Sequence, residues 1–110
     1  MFKDELTWAE IDLDAVVSNA RSLKQHIGRE TILMAVVKAN AYGHGAVEVA
    51  NAALEGGAER LAVNRIIEGV ELRQAGLTAP ILVIGYALPS EMKTAVQYDL
   101  TPTVTTMEVA

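Results

Sequence analysis

Lys38 is the residue of this sequence best placed to do chemistry, because it stands where a long apolar stretch gives way to a polar loop. The stretch before it, Ile32 to Val37, is uninterrupted and rich in β-branched side chains, which is typical of a strand buried on both faces of a parallel sheet. Ligands of α/β proteins gather at the carboxyl ends of such strands. An amine held there against apolar walls loses hydration, and its neutral form can attack a carbonyl to form a Schiff base.

A second interpretation of Lys38 needs no chemistry. Most lysines at strand ends bury the aliphatic stem and keep the ammonium group in water. The residues around Lys38 favour the chemical interpretation, because the string from Val36 to Gly45 reads VVKANAYGHG. It resembles, residue for residue, the pyridoxal-phosphate attachment motif of the alanine racemases.

Three other segments resemble the same family. They are Thr7 to Ala15 together with Asn19, Arg60 to Val63 together with Glu68, Leu72 and Arg73, and Ala79 to Gly85. The resemblance therefore runs from about Thr7 to Gly85. Beyond Tyr86 the expected order of elements still fits, but no string there is specific to the family.

Apolar runs and apolar helical stripes alternate along the chain, which predicts strands separated by helices. A first helix is expected after Asp14, whose carboxylate would cap its first turn, and Gly28 would end it. Expected strands cover 32–37, 60–63, 80–84 and 101–104, and the helices between them begin near Ala46, Ile66 and Ser90. Gly69 is unfavourable inside its helix by about 1 kcal/mol relative to alanine. The alternation predicts a parallel sheet in which all loops after strands lie on one side.

The resemblance implies a larger fold than 110 residues can form. Its members have an eight-stranded (β/α) barrel followed by a second, mostly β domain, and a barrel alone needs roughly 250 residues. We therefore expect α/β architecture with parallel (β/α) units forming about half of a TIM-type barrel. On this interpretation residues 1–110 are the amino-terminal portion of the cofactor-binding barrel, with 1–13 an extended lead-in, and the chain is truncated at Ala110.

The resemblance also assigns roles to individual residues. It implies that Lys38 binds pyridoxal 5'-phosphate covalently and then acts as acid and base on one face of the substrate α-carbon. Tyr42 matches the tyrosine whose hydroxyl reaches the cofactor phosphate, although the sequence alone favours a half-buried aromatic ring that covers the strand end. Independently of the resemblance, Val36 and Ile84 end or nearly end their strands and could line the cofactor pocket, although the sequence favours core packing for both. The proton-transferring group on the opposite face would be a tyrosine of the partner subunit's second domain.

Other polar residues are interpreted structurally. His44 is expected to serve packing or loop hydrogen bonding, and Asn40 is expected to satisfy backbone groups in a turn. His26 falls in the last turn of the first helix and is expected at the surface. Glu10, Asp12 and Asp14 alternate like metal ligands but lack the further donors that a site needs, so no metal is expected.

Composition and charge exclude several classes of protein. A net charge of −5 with scattered basic residues argues against a nucleic-acid surface. The chain has no cysteine, which excludes disulfides and thiolate chemistry within it. The sequence shows no export signal and no apolar run long enough to span a membrane, so a cytoplasmic enzyme is expected.

The sequence thus leads to one principal hypothesis and two alternatives. The first is an alanine racemase that interconverts L- and D-alanine for peptidoglycan synthesis and works as a homodimer, the 110-residue chain alone being inactive and prone to self-association. A non-catalytic, cofactor-binding or regulatory barrel is the second. The third is a racemase for another amino acid, such as serine or a basic amino acid, because such enzymes share the lysine loop.

Overall fold

A four-stranded parallel sheet organises residues 10–110, the part of the chain that the computed structural model describes. The strands follow one another in the sheet in the order β1, β2, β3, β4, as expected for successive (β/α) units. They are β1 (Met34–Val36), β2 (Arg60–Val63), β3 (Ile81–Val83) and β4 (Thr101–Pro102). The helical segments are α1 (Leu13–Ile27), α2 (Lys38–Tyr42), α3 (Ala46–Gly56), α4 (Ile66–Gln74) and α5 (Met92–Gln97), the last preceded by a 3-10 turn at Pro89–Glu91. No helix within residues 10–110 is both long and apolar enough to cross a bilayer.

The two faces of this sheet differ in what covers them. Register pairs Val36 with Ala62 and Ala62 with Leu82, so these three side chains share one face. The alternate positions form the other face, which packs with residues of α3, α4 and α5 into a core. Its largest buried members are Val37, Leu61, Val63, Ile81, Val83 and, from α4, Leu72. The first face is hereafter the open face, because Val36 keeps 42% of its surface exposed.

The prediction that 32–37 is a strand buried on both faces is therefore wrong in two respects. The strand is shorter, Met34–Val36, and Ile32 before it is 47% exposed. Only Val37, which faces the helices, is fully buried. The physical reason is that the helices of residues 10–110 pack on the other face of the sheet, which leaves Val36 on the open face partly uncovered, although Ala62 beside it is buried.

Helix α1 begins with a different cap from the one expected. Asp12, not Asp14, is the N-cap residue, and its Oδ1 accepts a hydrogen bond from the Ala15 amide at 3.1 Å. Asp14 lies in the first turn, where its negative charge interacts favourably with the positive end of the helix dipole. Gly28 ends the helix as predicted, and His26 in its last turn is exposed. Of the expected lead-in, residues 1–9 lie outside the described part, and Leu13 already belongs to α1.

Glycines allow the helices to approach their neighbours closely. A Cβ on Gly56 would lie 2.4 Å from the Val17 carbonyl oxygen, so glycine is required where α3 crosses α1. A Cβ on Gly69 would lie 2.9 Å from the Leu100 side chain. Glycine is unfavourable inside a helix, but at position 69 it leaves the space in which Leu100 packs against α4.

Arg73 braces the amino-terminal side of the sheet. Its guanidinium donates hydrogen bonds to the carbonyl oxygens of Leu77, Ala79, Tyr98 and Asp99, at 2.7 to 3.0 Å. These carbonyls belong to the loop between α4 and β3 and to the turn between α5 and β4. A planar group with five donors can satisfy several carbonyls at once, so one side chain joins two successive units.

Lys24 and Glu59 form a second brace at this side. The Lys24 ammonium group pairs with the Glu59 carboxylate and also donates to the Thr31 carbonyl oxygen at 2.7 Å. Glu59 Oε1 additionally accepts from the Leu33 amide at 3.3 Å. The hydrogen bond from Lys24, followed by that from the Leu33 amide, lowers the pKa of Glu59 below its ordinary value of 4.5. The pair ties α1 to the start of β1 and to the residue before β2.

We expect Glu59→Gln to remove a pH-dependent part of the stability. Because the pKa of Glu59 is lowered in the folded state, its charge stabilises the fold above pH 4.5, and that contribution is lost as the pH falls through the folded value. The wild type should therefore have the higher urea midpoint at pH 7, and the two midpoints should converge in more acidic solution. Urea unfolding followed by circular dichroism at several pH values measures this. Glu55→Gln, on the exposed side of α3, is the control; an E59Q difference that does not change with pH would contradict the assignment.

Candidate active site

Lys38 is separated from the end of β1 by Val37 alone, at the carboxyl edge of the sheet where the sequence predicted it. The residue before it, Val37, is buried and donates its amide to the Ala62 carbonyl oxygen at 2.8 Å, which continues the pairing with β2 beyond the strand. The side chain of Lys38 is partly buried. The main chain of Lys38 is therefore fixed to the sheet on its amino-terminal side.

The segment after Lys38 turns in the left-handed sense. Ala39, Asn40 and Ala41 have φ values of 50°, 55° and 54° with ψ between 43° and 47°, and Tyr42 has a φ of 57°. We call Lys38–Tyr42 the lysine turn. Four successive residues other than glycine in this region are unusual, because each L-residue there brings its Cβ close to the following carbonyl oxygen at a cost of roughly 1–2 kcal/mol.

Hydrogen bonds within the loop offset part of that cost. The Ala41 amide donates to the Val37 carbonyl oxygen at 2.9 Å, and the Gly43 amide donates to the Ala39 carbonyl oxygen at 3.2 Å. Gly43 and Gly45 follow with φ values of 91° and 93°, so both glycines of the loop use conformations that suit residues without a Cβ. The loop is thus a single left-handed turn closed by its own backbone.

Asn40 connects the lysine turn to the next helix. Its Oδ1 accepts from the amide of Ala46, the first residue of α3, at 2.9 Å, while its carbonyl oxygen accepts from Gly45 at 2.9 Å. Asparagine also tolerates the left-handed region better than most residues. The predicted role of Asn40 in satisfying backbone groups is confirmed. His44 Nδ1 lies 2.9 Å from the Ala41 carbonyl oxygen, which agrees with the loop hydrogen bonding expected for it.

Glu68, on α4, is the residue of this site that sequence reasoning missed. Its Oε2 accepts from the Ala39 amide at 2.6 Å, and its Oε1 accepts from the Asn64 and Arg65 amides at 2.9 and 2.8 Å. The sequence contained a partial signal, since Glu68 stands three residues after Arg65, where a carboxylate caps a helix start. The contact with Ala39 spans 29 residues and depends on the packing of two successive units.

Tyr42 and Val36, two predicted cofactor ligands, line the same cavity. It has a volume of about 410 Å³, and its walls also include Ala41, His44 and Val49, with residues from the start of α1. Tyr42 is 62% exposed in the described part of the chain. The structure therefore brings Val36 and Tyr42 together in one cavity, whose walls do not include Lys38.

Ile84, the remaining predicted ligand, lies apart from this cavity. It follows β3, two strands away from β1, and is 40% exposed. Ile84 is two residues beyond Leu82, which in an extended strand places it on the open face with Val36. Within residues 10–110 neither Val36 nor Ile84 is part of the packed core, and the pocket role of both stays a prediction.

The acidic residues near the start of α1 do not form a metal site in the described part of the chain. Asp12 is engaged as the cap of α1. Within residues 10–110, no group of three histidine, aspartate or glutamate side chains is close enough to hold a metal ion.

We expect Asn40→Ala to destabilise the lysine turn by about 0.5–2 kcal/mol, because the Ala46 amide at the start of α3 loses its acceptor. Asn40→Asp keeps an oxygen at this position and should stay within about 0.5 kcal/mol of the wild type. Amide exchange at Ala46 and urea midpoints measure the effect. Asn51→Ala, on an exposed position of α3, is the matched control; equal protection of Ala46 in N40A and wild type would show that the contact contributes nothing.

Comparison with known proteins agrees with this geometry. The model of the alanine racemase N-terminal domain family matches residues 11–110. Alanine racemase 2 of Oceanobacillus iheyensis is 53% identical over 104 residues, which are 94% of this chain and 26% of that protein. Alanine racemase 1 of Bacillus subtilis is 55% identical over 97 residues, 88% of this chain and 25% of that protein. The chain therefore spans about a quarter of the length of these relatives.

Solved structures show the same relationship in three dimensions. Alanine racemase from Bacillus anthracis with bound L-Ala-P matches with a TM-score of 0.87 and 49% identity, over 89% of this chain and 25% of that one. Histidine racemase from Leuconostoc mesenteroides matches with a TM-score of 0.79 and 32% identity, over 88% of this chain and 26% of that one. The family match across residues 11–110, with a parallel sheet that carries Lys38 at its carboxyl edge, shows that this chain belongs to the alanine racemase N-terminal domain family.

Proposed function

We propose that this chain is the amino-terminal portion of the barrel of a pyridoxal-phosphate-dependent alanine racemase, and that Lys38 is its cofactor lysine. The observation that carries the proposal is the position of Lys38: it follows β1 at the carboxyl edge of the sheet, in a chain of the racemase family. The remainder of the barrel and a second domain would complete the whole protein. The interconversion of L- and D-alanine is the proposed activity of that whole protein.

The side chains at this edge fit the proposed cofactor. A primary amine is the group that condenses with the aldehyde of pyridoxal phosphate, and the partly buried Lys38 supplies one. The hydroxyl of Tyr42, an exposed residue, could donate to the phosphate. Val36 and Ile84 present apolar surface on the open face, where the flat ring of the cofactor would need it.

The reaction requires little further chemistry from the protein. When bound, pyridoxal phosphate withdraws electrons from the substrate α-carbon and so makes its hydrogen acidic. Lys38 Nζ, once released from the cofactor, would remove or return that proton on one face of the α-carbon. The group for the opposite face is proposed to be a tyrosine from the second domain of a partner subunit, which makes the active enzyme a homodimer.

Alanine is the proposed substrate because the relatives are named alanine racemases and one solved neighbour holds L-Ala-P. The histidine racemase match supports the second candidate, a racemase for another amino acid such as serine or a basic one, on the same half barrel. A non-catalytic barrel is the third candidate, and the long lysine loop disfavours it. D-alanine made in the cytoplasm would serve peptidoglycan synthesis in this proposal.

The identity of the cofactor lysine can be tested in a chimera in which residues 1–110 replace the corresponding segment of the Bacillus subtilis enzyme. Borohydride reduction with pyridoxal phosphate, followed by peptide mapping, should place the label on Lys38. Lys38→Ala should abolish the label, and Lys38→Arg should lower turnover at least about 10²–10⁴-fold, because an always-charged guanidinium neither condenses nor transfers the proton.

Lys93→Ala is the matched control, since Lys93 lies exposed on α5. It should retain both the label and the turnover. A label on another lysine, or normal turnover in Lys38→Arg, would refute the assignment. Rates with L-alanine, L-serine and L-histidine in the chimera and in the parent enzyme would show whether residues 1–110 change substrate choice.

We expect the 110-residue chain alone to lack racemase activity and to bind pyridoxal phosphate weakly. It contains only the Lys38 side of the proposed site, and its open face leaves apolar side chains such as Val36 and Ile84 exposed, which favours self-association. Sedimentation velocity and D-alanine production by the purified chain measure both expectations. Turnover above that of its Lys38→Ala variant, in a monomer, would contradict them.

A further inference from the structure

We propose that Glu68 is a positioning residue that holds Lys38 in place through the main chain. The proposal rests on the proposed function of Lys38, but it is derived from contacts that involve no cofactor. Glu68 does not touch the reacting atoms; it fixes the backbone immediately after the lysine.

The second (β/α) unit holds the main chain of Lys38 on both sides. Before the lysine, the Val37 amide donates to the Ala62 carbonyl oxygen of β2 at 2.8 Å. After it, the Ala39 amide donates to Glu68 Oε2 at 2.6 Å. Both acceptors belong to the same unit, β2 with α4. The backbone of Lys38 is therefore held between two anchored amides, and its side chain extends from a fixed base.

A carboxylate suits this position for two reasons. The first amides of a helical turn have no partner within the turn, and the Ala39 amide occupies such a place at the start of the left-handed segment. Glu68 Oε2 accepts from it while Oε1 accepts from the Asn64 and Arg65 amides at the start of α4. One carboxylate thus accepts hydrogen bonds from the first amides of both the lysine turn and α4. Hydrogen bonds to an ionised acceptor are stronger than those to a neutral one.

Glu91 in the next unit shows what the same position does without this contact. Its Oε1 accepts from the Leu88 amide at 2.8 Å, three residues earlier, as Glu68 Oε1 does from Arg65. No contact between Glu91 and the lysine turn is formed in residues 10–110. The bond from Ala39 is therefore additional to the ordinary capping role of a glutamate here, and the comparison gives a matched control variant.

The strain of the lysine turn makes an anchor at Ala39 consequential. Ala39 has a φ of 50° and is followed by three more left-handed residues. Relaxation of this first residue would relieve backbone strain and lower the free energy of the turn. A shift of the main chain at Ala39 would move the base of the Lys38 side chain. Displacement of a reacting group by about 1 Å can lower a rate about 10²-fold.

Glu68→Gln tests the proposal in the chimera defined above. The amide of glutamine keeps one acceptor oxygen, so it can still cap α4 but cannot also accept from Ala39. In the cofactor-free protein, we expect hydrogen exchange at the Ala39 amide to accelerate roughly tenfold or more. We expect Lys38 to be labelled by pyridoxal phosphate and borohydride roughly ten- to a hundredfold more slowly, at the same residue. Glu91→Gln should change neither measurement.

The outcomes separate this proposal from the proposed function. Unchanged Ala39 exchange and an unchanged Lys38 labelling rate in E68Q would overturn the positioning role, even if the wild type is labelled at Lys38. No label on Lys38 in the wild type would overturn the proposed function, while the exchange comparison would still decide the anchor. Glu68→Asp, whose shorter side chain can cap α4 without reaching Ala39, should reproduce the E68Q result. If neither variant folds by circular dichroism while E91Q does, Glu68 supports the whole fold and the positioning role is wrong.

Discussion

The parallel pairing of β1 with β2 is the interaction on which the rest of this site depends. It brings Met34–Val36 beside Arg60–Val63, and one further bond, from the Val37 amide to the Ala62 carbonyl oxygen, extends the pairing to the residue before Lys38. This register sets which side chains face the helices and which face the open side. It also places the start of α4, and with it Glu68, next to the lysine turn. A shift of one residue would turn Val37 out of the core and move the acceptors away from the loop.

The two edges of the sheet are built in different ways. At the amino-terminal edge, charged side chains connect consecutive units: Arg73 joins the entry of β3 to the turn before β4, and the ion pair of Lys24 with Glu59 joins α1 to the entries of β1 and β2. At the carboxyl-terminal edge the backbone is strained around Lys38, and its hydrogen bonds are local or come from Glu68. Bracing one edge allows the loops of the other edge to adopt costly conformations.

The left-handed lysine turn explains the residue types around Lys38 better than strand periodicity does. Small or turn-forming residues, Ala39, Asn40 and Ala41, fill its strained positions, and none of them is β-branched. The two glycines then leave the turn with positive φ and lead into α3. The spacing from Lys38 to Tyr42, which within a right-handed helix would place both on one face, here spans a turn of the opposite hand.

Local chemistry in the sequence was sufficient to predict the order of strands and helices, the parallel sheet, the end of α1 at Gly28 and the position of Lys38 after a strand. It also predicted Asn40 as a turn residue, because these features depend on neighbouring side chains and on backbone propensities. The length of β1 and the exposure of Val36 and Ile84 depend instead on which face the helices cover.

Contacts between distant segments could only be decided by the tertiary structure. Glu68 reached Ala39 through the packing of two units. The left-handed hand of the lysine turn was also not predictable from the sequence, since propensities of single residues disfavour it. The sequence by itself therefore determined the order of strands and helices and the place of Lys38 among them, because these follow from local residue types. The contacts that hold the lysine turn in place were decided by the tertiary structure, because they depend on strand register and on packing between distant residues.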